Sequence, residues 1–551
     1  MSLPLAARTL DTMAPRSFVS LPCELRRMIY KCYFTTEQGY HFNATSRKLT
    51  TAHGEPIDLA LIYTCRLIAE ETKAMPFLYN DISFKTFYQE DLSLWLCRFE
   101  GLVTGQFQQQ MQLIIDLCPF ITREMHLLVE ERFPWFTTHL SNALAYRRNL
   151  SNRLSYGRNP RLRLRDGWLD IHHGRLKMDG TPPDDDIYRD ICSNDRAHSA
   201  HRAAIEFTLR LLCEVSDAQF VATVNELLAD WEYSGGARLS NFLDQCYKPW
   251  RFPSSLSDLD DMGPAIGFLD ALSLNQRSSL QNINIHEDRV SSGYPDGHAI
   301  GLIPFCQENK RLQIRHKLSM VRNLFDRASL SQGGAFDIIQ DLEDQGDQGD
   351  QGGRWTNEDF LAHTADGLYP IVANCLAEAM FLPDAGMPDG SYTLLLDAEN
   401  ATDMCSTIFQ QDILGKEATR IVLDRALKED PDGDWVDECR LEIKKSLKAH
   451  AGALEHLINK TSFLESNFYP GHLKNVDALM AHYKAIGMEQ CAFDLRWWEN
   501  DDYDFTLFSH VPVYGPLLSE NFESRKIPGY PPEEYAMFSK QLRDFLVFGE
   551  A

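Results

Sequence analysis

The sequence predicts an α+β chain rich in helix, in which a short N-terminal helical module precedes a larger domain with several short strands. Three observations carry that reading. An amphipathic pattern opens the chain at SFVSLPCELRRMIYKCYF (17–34), and helical periodicity recurs through most of the remaining residues. Brief apolar or alternating runs punctuate it as strands: ISFKTF (82–87), EMHLLVE (124–130), LQNINIHE (280–287), YTLLLD (392–397) and CAFDLRWW (491–498). Their spacing is long and unequal, which argues against a regular short-period solenoid such as a leucine-rich array.

The opening helix is justified residue by residue. Pro22 suits a first turn, where a missing N–H costs nothing, Ser20 is placed to cap free amides, and Glu24 sets a negative charge at the positive end of the dipole. Leu25, Met28, Ile29, Cys32 and Tyr33 then repeat at i, i+3, i+4, i+7 and i+8, with Arg26, Arg27 and Lys31 off that stripe. Such a stripe serves either the core or a partner's groove. A polar, glycine-broken insert from Phe34 to Pro56 leads to a second helix, whose face is Leu61, Cys65, Ile68, Ala69, Thr72 and Met75. Arg66, Glu70, Glu71 and Lys73 turn away from it, Pro76 ends or kinks it, and Asn80-Asp81 reads as a turn.

A chain of 551 residues is long enough for a large core and for more than one domain. With 54 basic against 79 acidic residues, its net charge of −25 disfavours nucleic acid and anionic membranes. The 13 dispersed cysteines form no CxxC pair, as in reduced core thiols. No secretory signal and no apolar run long enough to span a bilayer is visible, so a cytoplasmic or nuclear protein is expected. Soft boundaries divide the chain into a module at 1–90, a helix-rich α+β region at 91–341, a flexible Asp-Gln-Gly loop at 342–353 (LEDQGDQGDQGG), and a C-terminal α+β region at 354–551.

Few segments invite chemistry. Seven arginines, Arg147, Arg148, Arg153, Arg158, Arg161, Arg163 and Arg165, stand without an acidic residue among them and beside Tyr146, Tyr156 and Trp168. They are candidates for anion or RNA binding, set against a solvated loop that pairs with Asp166, Asp170 and the acidic run 184–186. DPDGDWVDE (430–438) resembles a calcium loop, but Trp435 occupies the position that requires glycine, so an interhelical turn is the better account. His298, Cys306 and His316 have no spacing that forces a thiol–imidazole pair, and Cys306 sits among apolar neighbours. His172-His173, His450 and His456 lack the spacing of metal ligands. No nucleophile elbow, phosphate loop or dinucleotide fingerprint occurs. The expectation is a protein without catalytic residues, metal or cofactor.

SLPCELRRMIY followed by LIYTCRLIAEE resembles the helical core of the F-box-like motif found in many fungal proteins. The resemblance rests on Leu21-Pro22, Glu24, Leu25 and Ile29, then on Thr64-Cys65-Arg66 and Ala69-Glu70. Downstream, GLIPFCQENKRLQIRHKLSMVRNLF and SYTLLLDAEN also resemble large uncharacterised fungal proteins with this amino terminus. The resemblance implies a module that docks on a Skp-type adaptor of a cullin ubiquitin ligase through Leu21, Pro22, Glu24, Leu25 and Ile29, the remainder holding a protein substrate. The insert is much longer than an F-box normally carries. The alternatives are a structural scaffold without a ligase link, its stripe facing the core, or an RNA- or phosphate-binding protein using the arginine loop.

Overall fold

The computed structural model describes residues 17–86, 110–111, 113–152, 197–228, 238–247, 262–289, 295–325, 362–363, 365–430, 433, 435–436, 450–496 and 503–504. The fold is helix-rich and α+β, built on a mixed seven-stranded sheet of order β2-β1-β3-β4-β5-β7-β8. The strands are β1 (Tyr40–Asn43), β2 (Lys48–Thr51), β3 (Ile82–Lys85), β4 (Asn282–Glu287), β5 (Gln313–Ser319), β7 (Tyr392–Asp397) and β8 (Leu464–Ser466). A separate antiparallel pair joins β6 (Ala362–His363) to β9 (Tyr503–Asp504). Only β2 runs antiparallel in the large sheet; β1, β3, β4, β5, β7 and β8 are parallel neighbours taken in chain order.

That order has a geometric consequence. Parallel strands are linked by right-handed crossovers, and when each new strand is added on the same side of the last, every crossover falls on one face of the sheet. The strand residues in the main core obey this: Ile82 and Phe84, Ile283 and Ile285, Ile314 and Leu318, Tyr392, Leu394 and Leu396, and Leu464 all point to the same side. They meet apolar residues from helices Met262–Ala271, Ile303–Glu308, Ala365–Phe381, Thr402–Ile408 and His450–Asn459. The alternate residues are mostly polar, Leu395 excepted, and Ser83, Ser319 and Leu395 among them are buried. The connections between these strands cover 86–281, 288–312, 320–391 and 398–463, so a one-sided winding exists without any sequence period.

A second, all-helical core packs residues Met111–Cys118 and helices Arg123–Arg132, Phe136–Asn152, His198–Leu212, Ala218–Leu227 and Arg238–Tyr247. It meets the sheet unit where Ala197 and Ala200 pack on Ala377 of helix Ala365–Phe381.

Two expected strands are helices. EMHLLVE lies within Arg123–Arg132, where the Thr122 hydroxyl accepts from the Met125 amide at 3.3 Å and Glu124 occupies the first turn. The cap and the helix-forming Glu, Met and Leu outweigh one β-branched valine. CAFDLRWW begins inside helix Met488–Arg496, which starts after Gly487 at φ 113° and buries Cys491 completely. Trp497 and Trp498 lie outside the described residues. The strands at 82–85, 282–287 and 392–397 form as expected, and β5 is an additional strand whose residues alternate between exposed and buried.

The polar insert is a β-hairpin, not a loop. β1 and β2 pair antiparallel from Tyr40↔Thr51 to Asn43↔Lys48, and β1 joins β3 in parallel register at Tyr40↔Ile82. At the junction the Tyr40 amide donates to the Asp81 carbonyl at 2.8 Å, and Gly39, at φ 68°, leaves no room for a Cβ, which would lie 2.4 Å from that carbonyl oxygen. Buried Asn80 ties the segment together, donating to the Phe34 and Pro76 carbonyls and accepting from the Thr36 amide. The segment assigned to the N-terminal module thus supplies three strands of the sheet, and the other strands come from both larger regions.

One polar cluster is buried on the core face. The His316 Nδ1 lies 2.6 Å from the Tyr392 hydroxyl and its Nε2 lies 3.2 Å from a Glu287 oxygen. Burial raises the Tyr392 phenol well above its ordinary range, so it keeps its proton, a donor within reach of Nδ1. Tyr392→Phe removes that donor inside the core and should lower stability by about 1–3 kcal/mol, whereas Thr393→Ser on the opposite face should change it by less than about 0.5 kcal/mol, both read from urea unfolding.

Candidate functional site

The opening helix, α1 (Cys23–Phe34), forms where expected but faces the other way. Its N-cap is Pro22; the Ser20 hydroxyl donates to the Ser17 carbonyl instead of capping the helix. The buried residues of α1 are Arg26, Tyr30 and Phe34, while Leu25, Met28 and Ile29 of the apolar stripe are 47%, 65% and 44% exposed, and Cys32 and Tyr33 are exposed too. At 100° per residue the buried face is centred about 130° from the stripe. Pro22 and Glu24 are exposed and Leu21 is half-buried. The proposed docking residues therefore line up on the solvent side of the helix and at its start.

What turns the helix is a charged pair that lies off both apolar stripes. Arg26 bonds in a fork to Glu71 of α2 (Arg66–Thr72), its Nε lying 3.0 Å from Oε2, and its Nη1 donates to the Leu21 carbonyl at 2.5 Å and the Val19 carbonyl at 3.2 Å. The Tyr30 hydroxyl donates to the same Glu71 carboxylate at 2.8 Å. Both Arg26 and Glu71, expected to point away from their helical faces, together form the seam between α1 and α2. Around it Tyr30, Phe34, Ile68 and Met75 make a small apolar core, flanked by Phe18, Leu59 and Leu61. On the second helical segment Ile68, Thr72 and Met75 are buried as expected, Leu61 and Ala69 are half-buried, and Cys65 is exposed. Pro76 opens a new short helix, α3 (Met75–Tyr79), instead of closing the old one.

Hydropathy alone misses Arg26 because it counts the whole side chain as polar. The aliphatic stem packs while the guanidinium finds a carboxylate and two carbonyls. The only advance signal is opposite charge on two helices of one module. The result is an apolar surface left in water: of the fourteen exposed large apolar side chains among the described residues, seven lie between Val19 and Leu67. Contiguous exposed apolar patches are characteristic of interaction surfaces in general, whereas single exposed apolar residues need no explanation.

Among the described residues the other candidates do not assemble into a site. Cys306 is completely buried in the main core, and burial pushes its thiol up to about 12, which keeps it protonated; His316 is engaged by Tyr392 and Glu287. Trp435 is buried in a cluster with Met480, Tyr483 and Cys491, while most of the 430–438 segment, Asp432 and Asp434 included, lies outside the described residues. Arg147 and Arg148 lie on helix Phe136–Asn152, while Arg153, Arg158, Arg161, Arg163 and Arg165, like the Asp-Gln-Gly repeat, lie outside the described residues. Among the described residues no group of three or more His, Cys, Asp or Glu could hold a metal, and no helix is long and apolar enough to cross a membrane. No family model, no curated protein and no solved structure matches the chain.

The seam makes the module sensitive to acid. The bonds from Arg26, then from Tyr30, hold the Glu71 carboxyl down to about 2 from an ordinary 4.5. A carboxyl depressed by folding stabilises the native state fully above its unfolded pKa and loses that contribution as pH falls towards the folded one. Limited proteolysis between Phe34 and Leu67 should therefore accelerate as pH drops from 4.5 towards 2 in the natural chain. Glu71→Gln, which has no such proton to gain, should be cleaved faster at neutral pH and should not show this additional acceleration.

Proposed function

We propose that the chain is a protein-interaction receptor: α1 docks an adaptor of the Skp type in a cullin ubiquitin ligase, and the larger part holds a protein target. The observation that carries this reading is the outward apolar stripe of Leu25, Met28 and Ile29, held out by the Arg26–Glu71 seam. A helix face of this kind fits a hydrophobic groove, with residues at i, i+3 and i+4 as anchors. Leu21 and Pro22 at the helix start and Glu24 in its first turn complete the surface named by the F-box-like resemblance. The mechanism is proximity: the adaptor brings the conjugating machinery, the sheet and its helices bring the target, and no bond is made or broken by this chain.

A second reading, a scaffold without a ligase link, draws on the insert. A hairpin spliced into the sheet suits a module that is part of the main body, unlike the short connection of an ordinary F-box. Deleting residues 1–90 would strip β1, β2 and β3 from the sheet, so the test uses point variants. The tagged full-length chain should copurify with adaptor and cullin from a fungal lysate, and Leu25→Asp with Ile29→Asp should abolish this without lowering the melting temperature, because both side chains are exposed. Retained adaptor in that folded variant, or no adaptor with the natural chain, would refute docking through α1.

A further inference from the structure

One-sided winding leaves the second face of the sheet without helices from the main core; its side chains are mostly polar, with Ser83 and Leu395 buried and Lys85 exposed. In-register pairing sets Lys85, His286, Lys317, Leu395 and Glu465 in one row across β3, β4, β5, β7 and β8. The neighbouring row is Ser83, Asn284, Arg315 and Thr393. At about 4.8 Å between strands, the first row is about 19 Å long. Its charge is polarised. At one end Arg315 is 3.5 Å from Glu465 and is neutralised by it. At the other, Lys85 and Lys317 stand two strands apart with His286 between them, and neither makes an ion pair with a described residue.

Both ammonium groups act on the ring between them. Burial first, then the charges of Lys317, Lys85 and His41, hold His286 down to about 4 against the opposing carboxylate of Asp397, and burial with Lys85 also lowers His41 on the next strand but one. Like charges facing across strands are destabilising. In a chain of net charge −25, two unpaired lysines converging on a half-buried imidazole form a local reversal of the overall field.

We propose that this face binds an extended acidic segment of a partner protein, its carboxylates seated between Lys85 and Lys317 over His286 and its chain lying across the strands. Charge complementarity selects the occupant. Two lysines are too few for a nucleic-acid backbone, whose affinity comes from many phosphate contacts, and the rows carry no Phe, Tyr or Trp on which bases would stack. A second copy of this chain would bring its own polar face, with the same lysines opposed. The role of this face in holding a ligase target rests on the receptor reading above; the binding itself does not, and it is measured on the chain without adaptor.

Fluorescence anisotropy of a labelled peptide alternating glutamate and serine tests it, with the lysine–serine counterpart and a labelled single-stranded RNA as the other arms. The acidic peptide should bind the full-length chain saturably and more weakly as salt is raised, and the lysine peptide should not bind. Lys85→Glu with Lys317→Glu should weaken it by about tenfold or more, and Lys85→Gln with Lys317→Gln by less, a milder pair that keeps the test available if charge reversal disturbs folding. Arg66→Glu on α2 and the Leu25→Asp, Ile29→Asp variant should leave it unchanged. Absence of saturable binding, equal weakening by Arg66→Glu, or tighter lysine-dependent binding of the RNA would overturn the proposal.

Discussion

Parallel strands taken in chain order and joined by right-handed crossovers constrain the helices of the main core to one side of the sheet. This constraint accounts for the largest features of the molecule. It gathers Ile283, Ile285, Ile314, Leu394 and Leu396 under a single helical layer, and the intervening residues are mostly polar. β4 alternates Asn-Ile-Asn-Ile as one covered side requires, whereas β7 buries three consecutive leucines, Leu394, Leu395 and Leu396.

The N-terminal module joins this body by the same rule. Its hairpin extends the sheet at the β3 edge, and β2, the one antiparallel strand, ends it. Asn80 and Gly39 hold that joint with backbone contacts, so α1 is placed against the body by hydrogen bonds at its C-terminal end and by the Arg26–Glu71 seam at its N-terminal end. Between those two fixed points Leu25, Met28 and Ile29 stay exposed, while Tyr33 at the end of the stripe bonds to Asp58. Charge pairing inside and apolar residues outside invert the usual amphipathic arrangement, and that inversion distinguishes this helix from an ordinary core element.

Much of this is legible from residues. The helix at 23–34 and the strands at 82–85, 282–287 and 392–397 are consequences of local pattern. The misreadings share a cause. EMHLLVE and CAFDLRWW are short apolar runs whose period does not separate strand from helix, and capping at Thr122 or the break at Gly487 decides them. The hairpin at 40–51 escapes notice because Tyr40, Phe42 and Leu49 are spread among polar residues, and β3, the strand that β1 joins, pairs Ile82 with Tyr40 far along the chain.

The residues by themselves determined that an amphipathic helix opens the chain, which side chains form its stripe, and that the rest alternates helix with short strands, since these depend on neighbours within a few positions. Tertiary structure alone decided which way the helix faces and which face of the sheet the main core covers. Both outcomes depend on pairs far apart in the chain: Arg26 with Glu71 sets the rotation of α1, and the register of Lys85 with His286 and Lys317 creates a cationic row from residues more than two hundred positions apart. A local pattern fixes a period; only a distant partner fixes a phase.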